Sequence, residues 1–352
     1  MRQRLLIVFL VSIWSLCARQ AVGAENPAVP LLYTRLGPEK LAVVINDQDP
    51  LSKRIGEYYQ AQRHIPDANM IHIRFEPGSS NLPRTEFNRL KAEVDATTSP
   101  WIQAYALTWA APYRVDCMSI TTAFAIGFDV GFCAAGCSGT KLSPYFNSNS
   151  TAPYSDYKIR PTMAIAAKDF NAAKKLIDRG IASDGTFPKG VGYLVSTTDK
   201  ARNVRASFYP EIIKYLGRYI NLRVIKADYL VNRKNIMFYF TGSTYVQKLE
   251  TNRFLPGAIA DHLTSTGGQL TDSGQMSSLR WLEAGATGSY GTVVEPCNFL
   301  TKFPHPGIVM EKYLRGETLI EAYWKSVMMP GQGIFIGEPL ASPYWRQQGV
   351  VQ

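Results

Sequence analysis

Only four histidines, His64, His72, His262 and His305, occur among the 352 residues. Imidazole is the usual general base and a frequent metal ligand near neutral pH, so few positions could anchor either chemistry. Nucleotide-binding loops are missing as well. No G-x-G-x-x-G follows the first strand-like run, and no G-x-x-x-x-G-K-[ST] occurs anywhere. The elbow G-x-S-x-G is absent too, because "ATGSYG" carries Thr287 where its first glycine should stand. Ser289 is therefore a poor nucleophile, and neither a cofactor nor a metal is expected. Lysine and arginine never run beyond a pair, and the net charge of +10 is scattered along the chain. Without a basic stripe, nucleic acid is not an expected partner. Beyond the N-terminal segment, no apolar run is long enough to span a bilayer.

The N-terminus itself is informative. Arg2 and Arg4 precede the apolar run LLIVFLVSIW, and small residues end in Val22-Gly23-Ala24. That order of charge, short apolar core and small residue predicts a secretory signal peptide over 1–24. Leu16 is too large for the residue before a lipidated cysteine, so Cys17 is not expected to carry a lipid. A mature chain of 25–352, at net +7, is predicted to be exported, periplasmic or secreted, with no transmembrane anchor.

Four cysteines then remain, Cys117, Cys133, Cys137 and Cys297. An oxidising compartment favours disulfides. Three complete pairings are open, and each uses Cys297. The short loop Cys133-Ala-Ala-Gly-Cys137 suits closure on itself, which would set Cys117 against Cys297. One disulfide with two free thiols, or metal ligation, are the alternatives.

Along the chain, 40–46 is a continuous apolar run expected as a strand covered on both faces. Asp49-Pro50 opens a helix to 63 with a cap and a first-turn proline. A strand at 70–75, a helix at 84–97 and a strand at 101–109 follow. His64 and His72 fall in this scaffold, in a turn and on a strand. Residues 110–160 break the rhythm and read as a long covering or binding loop. Alternation resumes with strands at 162–166, 191–195, 235–240 and 289–294. Helices are expected at 169–179, around Pro210, and at 255–263, 276–283, 307–314 and 318–327, before a Gly/Pro-rich close. This grammar predicts an α/β fold with a mostly parallel sheet and helices on both faces. One large domain over 25–352 is expected, or two α/β halves meeting near 140–160.

Several stretches carry a resemblance. "LAVVINDQDPLSKRIGEYYQAQRHIP", "RPTMAIAA", "LPGAIADHLTSTGG" and "LRWLEAGATGSYGTVVEPCN…KFPHP" resemble a family of exported bacterial proteins with no assigned activity. More distantly, "YFTGS", "AGATGSYGTVVEP" and "FIGEPLASPY" are similar to gingipain-like cysteine peptidases of the caspase-type fold. The resemblance implies a caspase-like sheet in which one strand ends in His-Gly and the next in the nucleophilic cysteine. Here the strand 236–240 runs into Thr241-Gly242-Ser243, and no cysteine lies between 240 and 285. A threonine hydroxyl is too weak a base to replace the histidine. Gly337-Glu338-Pro339 would mimic a late Gly-Asp-Pro of that family.

The stretch "GATGSYGTVVEPCNFLTKFPHP" offers the one substitute, a carboxylate, a thiol and an imidazole at Glu295, Cys297 and His305. If 295–297 is extended, Glu295 and Cys297 share a side, and the carboxylate raises the thiol pKa, the wrong direction for a nucleophile. A working site would need Glu295 on His305 and His305 on Cys297. The alternative is a disulfide-anchored corner. Thr241, Ser243 and His262 lie where such sheets bind ligands, and Tyr145 and Tyr154 of the long loop could stack on a sugar or peptide. The reading with most support is an exported binding or accessory protein whose ligand is a protein, peptide or glycan. A thiol peptidase or amidase using Cys297 comes second, and carbohydrate binding through the aromatic loop third.

Overall fold

The computed structural model describes residues 35–346; the signal segment expected at 1–24 lies outside them. The chain begins as its apolar pattern predicts, with β1 (Leu41–Asn46), α1 (Pro50–Arg63), β2 (Met70–Ile73), α2 (Arg84–Thr97) and β3 (Ala104–Leu107). Asp49 caps α1 by accepting the Leu51 N–H at 2.8 Å, and Pro50 fills the first turn. The stretch 110–160 holds more structure than a covering loop. It contains the hairpin β4 (Arg114–Val115) and β5 (Met118–Ser119), then α3 (Ile120–Ile126) and α4 (Pro153–Tyr157). Next come β6 (Thr162–Ala164), α5 (Phe170–Ile181), β7 (Val191–Ser196), α6 (Tyr209–Leu216), β8 (Asn221–Lys226) and β9 (Ile236–Gly242). The chain continues through β10 (Phe254–Leu263), α7 (Leu279–Ala284), β11 (Gly288–Thr292), α8 (Pro306–Leu314), α9 (Leu319–Ser326) and β12 (Gly333–Gly337).

Ten of these strands form one sheet in the order β2-β1-β3-β6-β12-β11-β10-β9-β7-β8. Every pairing in it is parallel except β11 with β12. The sheet is therefore two parallel halves of opposite strand direction, joined by the C-terminal strand. Their carboxyl ends lie at opposite edges. β1, β3, β9, β11 and β12 are buried along their whole length. Alternate residues of a strand face opposite ways, so both faces of the sheet are covered. On those faces α1 packs against α5 and α8 against α9, while α3 packs on β6 and β12.

Two expectations need correction. Residues 255–263 are strand, not helix: β10 pairs in parallel with β9 from Phe254 to Leu263. From Gly257 to Leu263 it is buried on both faces, and such a run has no period that separates strand from helix. Pro256 and Gly257, the latter at φ +83°, fall where the register with β9 shifts. The Gly/Pro-rich close also conceals β12, whose five buried residues occupy the middle of the sheet.

The four cysteines among the described residues are all paired, but not by nearest neighbours. Cys117 bonds Cys133, and Cys137 bonds Cys297, with Cα atoms 5.5 Å apart in each pair. Cys117 sits in the β4–β5 turn, and the backbone returns to it through a short 3-10 turn at Val130–Phe132, where the Asp129 N–H meets Met118 Sδ at 3.3 Å. That return brings Cys133 to Cys117 and leaves Cys137 free to reach the corner after β11. The second bond closes a 160-residue separation. Crosslinks over such long loops remove much unfolded-state entropy. Peptide mapping without reduction should recover these two pairs. The double variant Cys137→Ala/Cys297→Ala should lose about 2–5 kcal/mol in denaturant unfolding.

Candidate functional site

Ligands of open α/β sheets usually lie beyond the carboxyl ends of the strands, where the strand order reverses. In the second half that point lies between β7 and β9, and Thr241, Gly242 and Ser243 stand there. The chain fills the crevice itself. A backbone path through 197–208 crosses so close to Gly242 that a Cβ there would come within 1.8 Å of the Arg202 carbonyl oxygen. Thr197 Oγ1 donates to the Gly242 carbonyl at 2.6 Å, and Asn203 Oδ1 accepts the Thr197 N–H at 3.0 Å.

Arg205 from the same path enters the core and is 1% exposed. Its Nη1 donates to Asp261 Oδ1 at 2.5 Å, and its Nη2 to the Thr241 carbonyl at 2.6 Å. Asp261 is equally buried, and Tyr323 Oη reaches its other oxygen at 3.5 Å. Burial raises the Asp261 pKa, while Arg205 opposes that shift. Thr241 gives its backbone to this pair, and its own buried hydroxyl has no partner among the described residues. Ser243 is spent locally, donating to the Tyr245 carbonyl at 3.0 Å.

His262 follows Asp261 on β10, so the two side chains face opposite sides of the sheet. The imidazole is buried between two partners. Trp281 Nε1 donates to Nδ1 at 2.9 Å, which leaves the ring proton on Nε2, 3.1 Å from the Met276 carbonyl oxygen. Burial and nearby arginines lower its pKa to about 3, so the ring is neutral. Above this edge the polar residues are tied to one another. Arg202 Nε donates to Thr264 Oγ1 at 3.2 Å, and that hydroxyl donates to Gln275 Oε1 at 2.7 Å.

The corner Glu295, Cys297 and His305 is not one constellation. Cys297 is not extended: its φ of 54° is left-handed, and Glu295 Oε1 accepts the Cys297 N–H at 2.8 Å. Its sulfur is bonded to Cys137. His305 caps α8, where Nδ1 accepts the Ile308 N–H at 3.3 Å, and its ring lies 4.3 Å from that of Phe208. Burial lowers the His305 pKa. Pro306 in the first turn fits that capping role. Glu338 of the family-like Gly-Glu-Pro is structural: it accepts Tyr59 Oη at 2.7 Å and Arg63 Nε at 3.0 Å.

In the long loop, Tyr145 is fully buried, with Lys325 Nζ 5.2 Å over its ring. Tyr154 is half-buried, and the Arg160 guanidinium stacks on it at 3.3 Å. The structure thus gathers Thr241, Ser243 and His262 at one sheet edge and leaves the tyrosines elsewhere. Arg202 and Arg205, which no motif in the sequence marks, organise that edge. Their only signal was "ARNVRASF", whose two arginines fall three apart in an otherwise apolar-leaning stretch. Among the described residues, no group of three or more His, Cys, Asp and Glu is placed to hold a metal ion.

Two variants probe the buried groups. Asp261→Leu leaves Arg205 buried and unpaired and should cost about 3–5 kcal/mol, most of it recovered in Arg205→Met/Asp261→Leu. His262 has a folded pKa below its unfolded value of 6.5. The unfolded chain binds this proton first, so the His262 contribution is intact above pH 6.5 and is lost as pH falls toward 3. In His262→Gln, urea unfolding between pH 6 and 4 should show a pH slope shallower than wild type by up to about 1.4 kcal/mol per unit.

No family model matches the chain, and no curated protein matches it. Among solved structures it is similar to the crystal structure of the Arg-specific cysteine proteinase gingipain R, at 9% identity and a TM-score of 0.48, over 88% of this chain and 80% of that one.

Proposed function

We propose that this chain is an exported protein of the cell envelope that binds a ligand and does no thiol chemistry. The observation that carries the reading is the state of its sulfur: Cys117, Cys133, Cys137 and Cys297 are all in disulfides. A disulfide sulfur cannot serve as the thiolate that thiol hydrolases need. His305 and His262 add support, because each ring nitrogen facing a backbone or side-chain donor is already an acceptor. Disulfides also suit an oxidising compartment, in keeping with the signal-like N-terminus. No helix among the described residues is long and apolar enough to cross a membrane. A protein, peptide or glycan ligand could meet the rim beside Ser243, where Tyr245 is 59% exposed.

A thiol count separates this reading from a hydrolase. Chain matured at residue 24 and unfolded without reductant should take up no maleimide. A single label at Cys297, with peptide or amide hydrolysis that disappears in Cys297→Ala, would sink the proposal.

A further inference from the structure

At the opposite edge of the sheet, beyond the carboxyl end of β6, lies a cleft of about 310 Å³ between α5 and the end of α7. This volume is at the lower end of the roughly 300–1,000 Å³ typical of small-molecule sites. One wall is apolar and comes from Ala166, Ala167, Ala172, Leu176, Leu279 and Leu282. The charged lining is Lys168, Lys175 and Arg179 against Asp169 and Glu283. Both carboxylates are engaged. Asp169 caps α5 by accepting the Ala172 N–H at 2.8 Å, and Glu283 lies 2.6 Å from Arg280 and 3.6 Å from Lys168.

Arg179 differs from these. Its Nη2 donates to the Leu282 carbonyl at 2.8 Å, an oxygen near the end of α7 that also accepts the Gly285 N–H at 3.1 Å. Its Nε is buried without a partner, and no carboxylate among the described residues pairs with the guanidinium. Nε is closed to solvent, but Nη1 makes no hydrogen bond among the described residues and is left to meet a group in the cleft that Arg179 lines. A planar fork beside an apolar wall matches a carboxylate attached to a small apolar body. The lining has one positive charge in excess of its negative ones, which suits a monoanion.

We propose that this cleft binds a small monocarboxylate, with the acid group on Arg179 and the apolar body against the alanine and leucine wall. Desolvation with no opposing carboxylate lowers the Arg179 pKa to about 10, which leaves it charged at neutral pH. The start of α5 adds a favourable dipole at the same mouth. Sulfur chemistry has no part in this assignment, so it stands or falls independently of the thiol count.

The test is calorimetric titration of the full mature protein with 4-methylpentanoate, its neutral amide 4-methylpentanamide, and inorganic phosphate. The carboxylate should bind saturably and at least about tenfold more tightly than the amide, as expected for a hydrogen-bonded charge. Arg179→Gln should lose about tenfold or more of that affinity. Because Arg179 also touches α7, Ala172→Met serves as a second variant: it fills the cleft, keeps the guanidinium and should abolish binding. No saturable binding to wild type, equal affinity for the amide, or carboxylate binding that is undiminished in either variant would overturn the proposal. Phosphate binding more tightly than the carboxylate would overturn the ligand class.

Discussion

Insertion of β12 between β6 and β11 is the constraint on which the rest of the molecule depends. It pairs in parallel with one neighbour and antiparallel with the other, and so fuses two half-sheets that run in opposite directions. Its far end is clamped to the first helix. Glu338 accepts from Tyr59 and from Arg63, and Arg63 also pairs with Asp184, whose other oxygen accepts the Ser342 N–H at 2.8 Å. Buried charges of this kind are weak evidence for stability but leave few alternative arrangements for the groups they join. Here they join the last strand, α1 and the segment after α5.

Opposed strand directions give the sheet two carboxyl edges in place of one. The edge of the second half is closed by the chain's own arginines, with Arg205 buried on Asp261 and Arg202 tied to Thr264. The edge of the first half keeps an open cleft at β6, with a guanidinium that lacks a carboxylate partner. The same residue type therefore closes one edge and leaves a charged cleft at the other. The difference is whether a carboxylate of the chain meets it. Disulfide Cys137–Cys297 ties the segment after β4 and β5 to the corner after β11, and so crosslinks loops that belong to different halves.

Much of the fold was legible in the sequence, because apolar runs such as 41–46 and 236–242 stay apolar on both sides and are bounded by caps and turns. The same property misled at 255–263, where burial on both faces from Gly257 onward erased the period that tells strand from helix. β12 was hidden for another reason: five residues bounded by glycines read as a turn unless the gap they fill is known. The site was less legible. His262 stands out in the sequence as one of four histidines, but its role follows from Trp281 and Met276, which only the strand geometry brings to it.

By itself the sequence determined the α/β class, the alternation of strands and helices, and the even number of cysteines downstream of the signal-like segment, because these depend on local period and on counting. Tertiary structure alone decided which sulfurs join, that Glu295 turns back to the Cys297 N–H, and that Arg205 is paired while Arg179 is not. The reason is physical. Pairing, burial and electrostatic satisfaction are properties of neighbours far apart in the chain, and the order of strands in the sheet sets who those neighbours are.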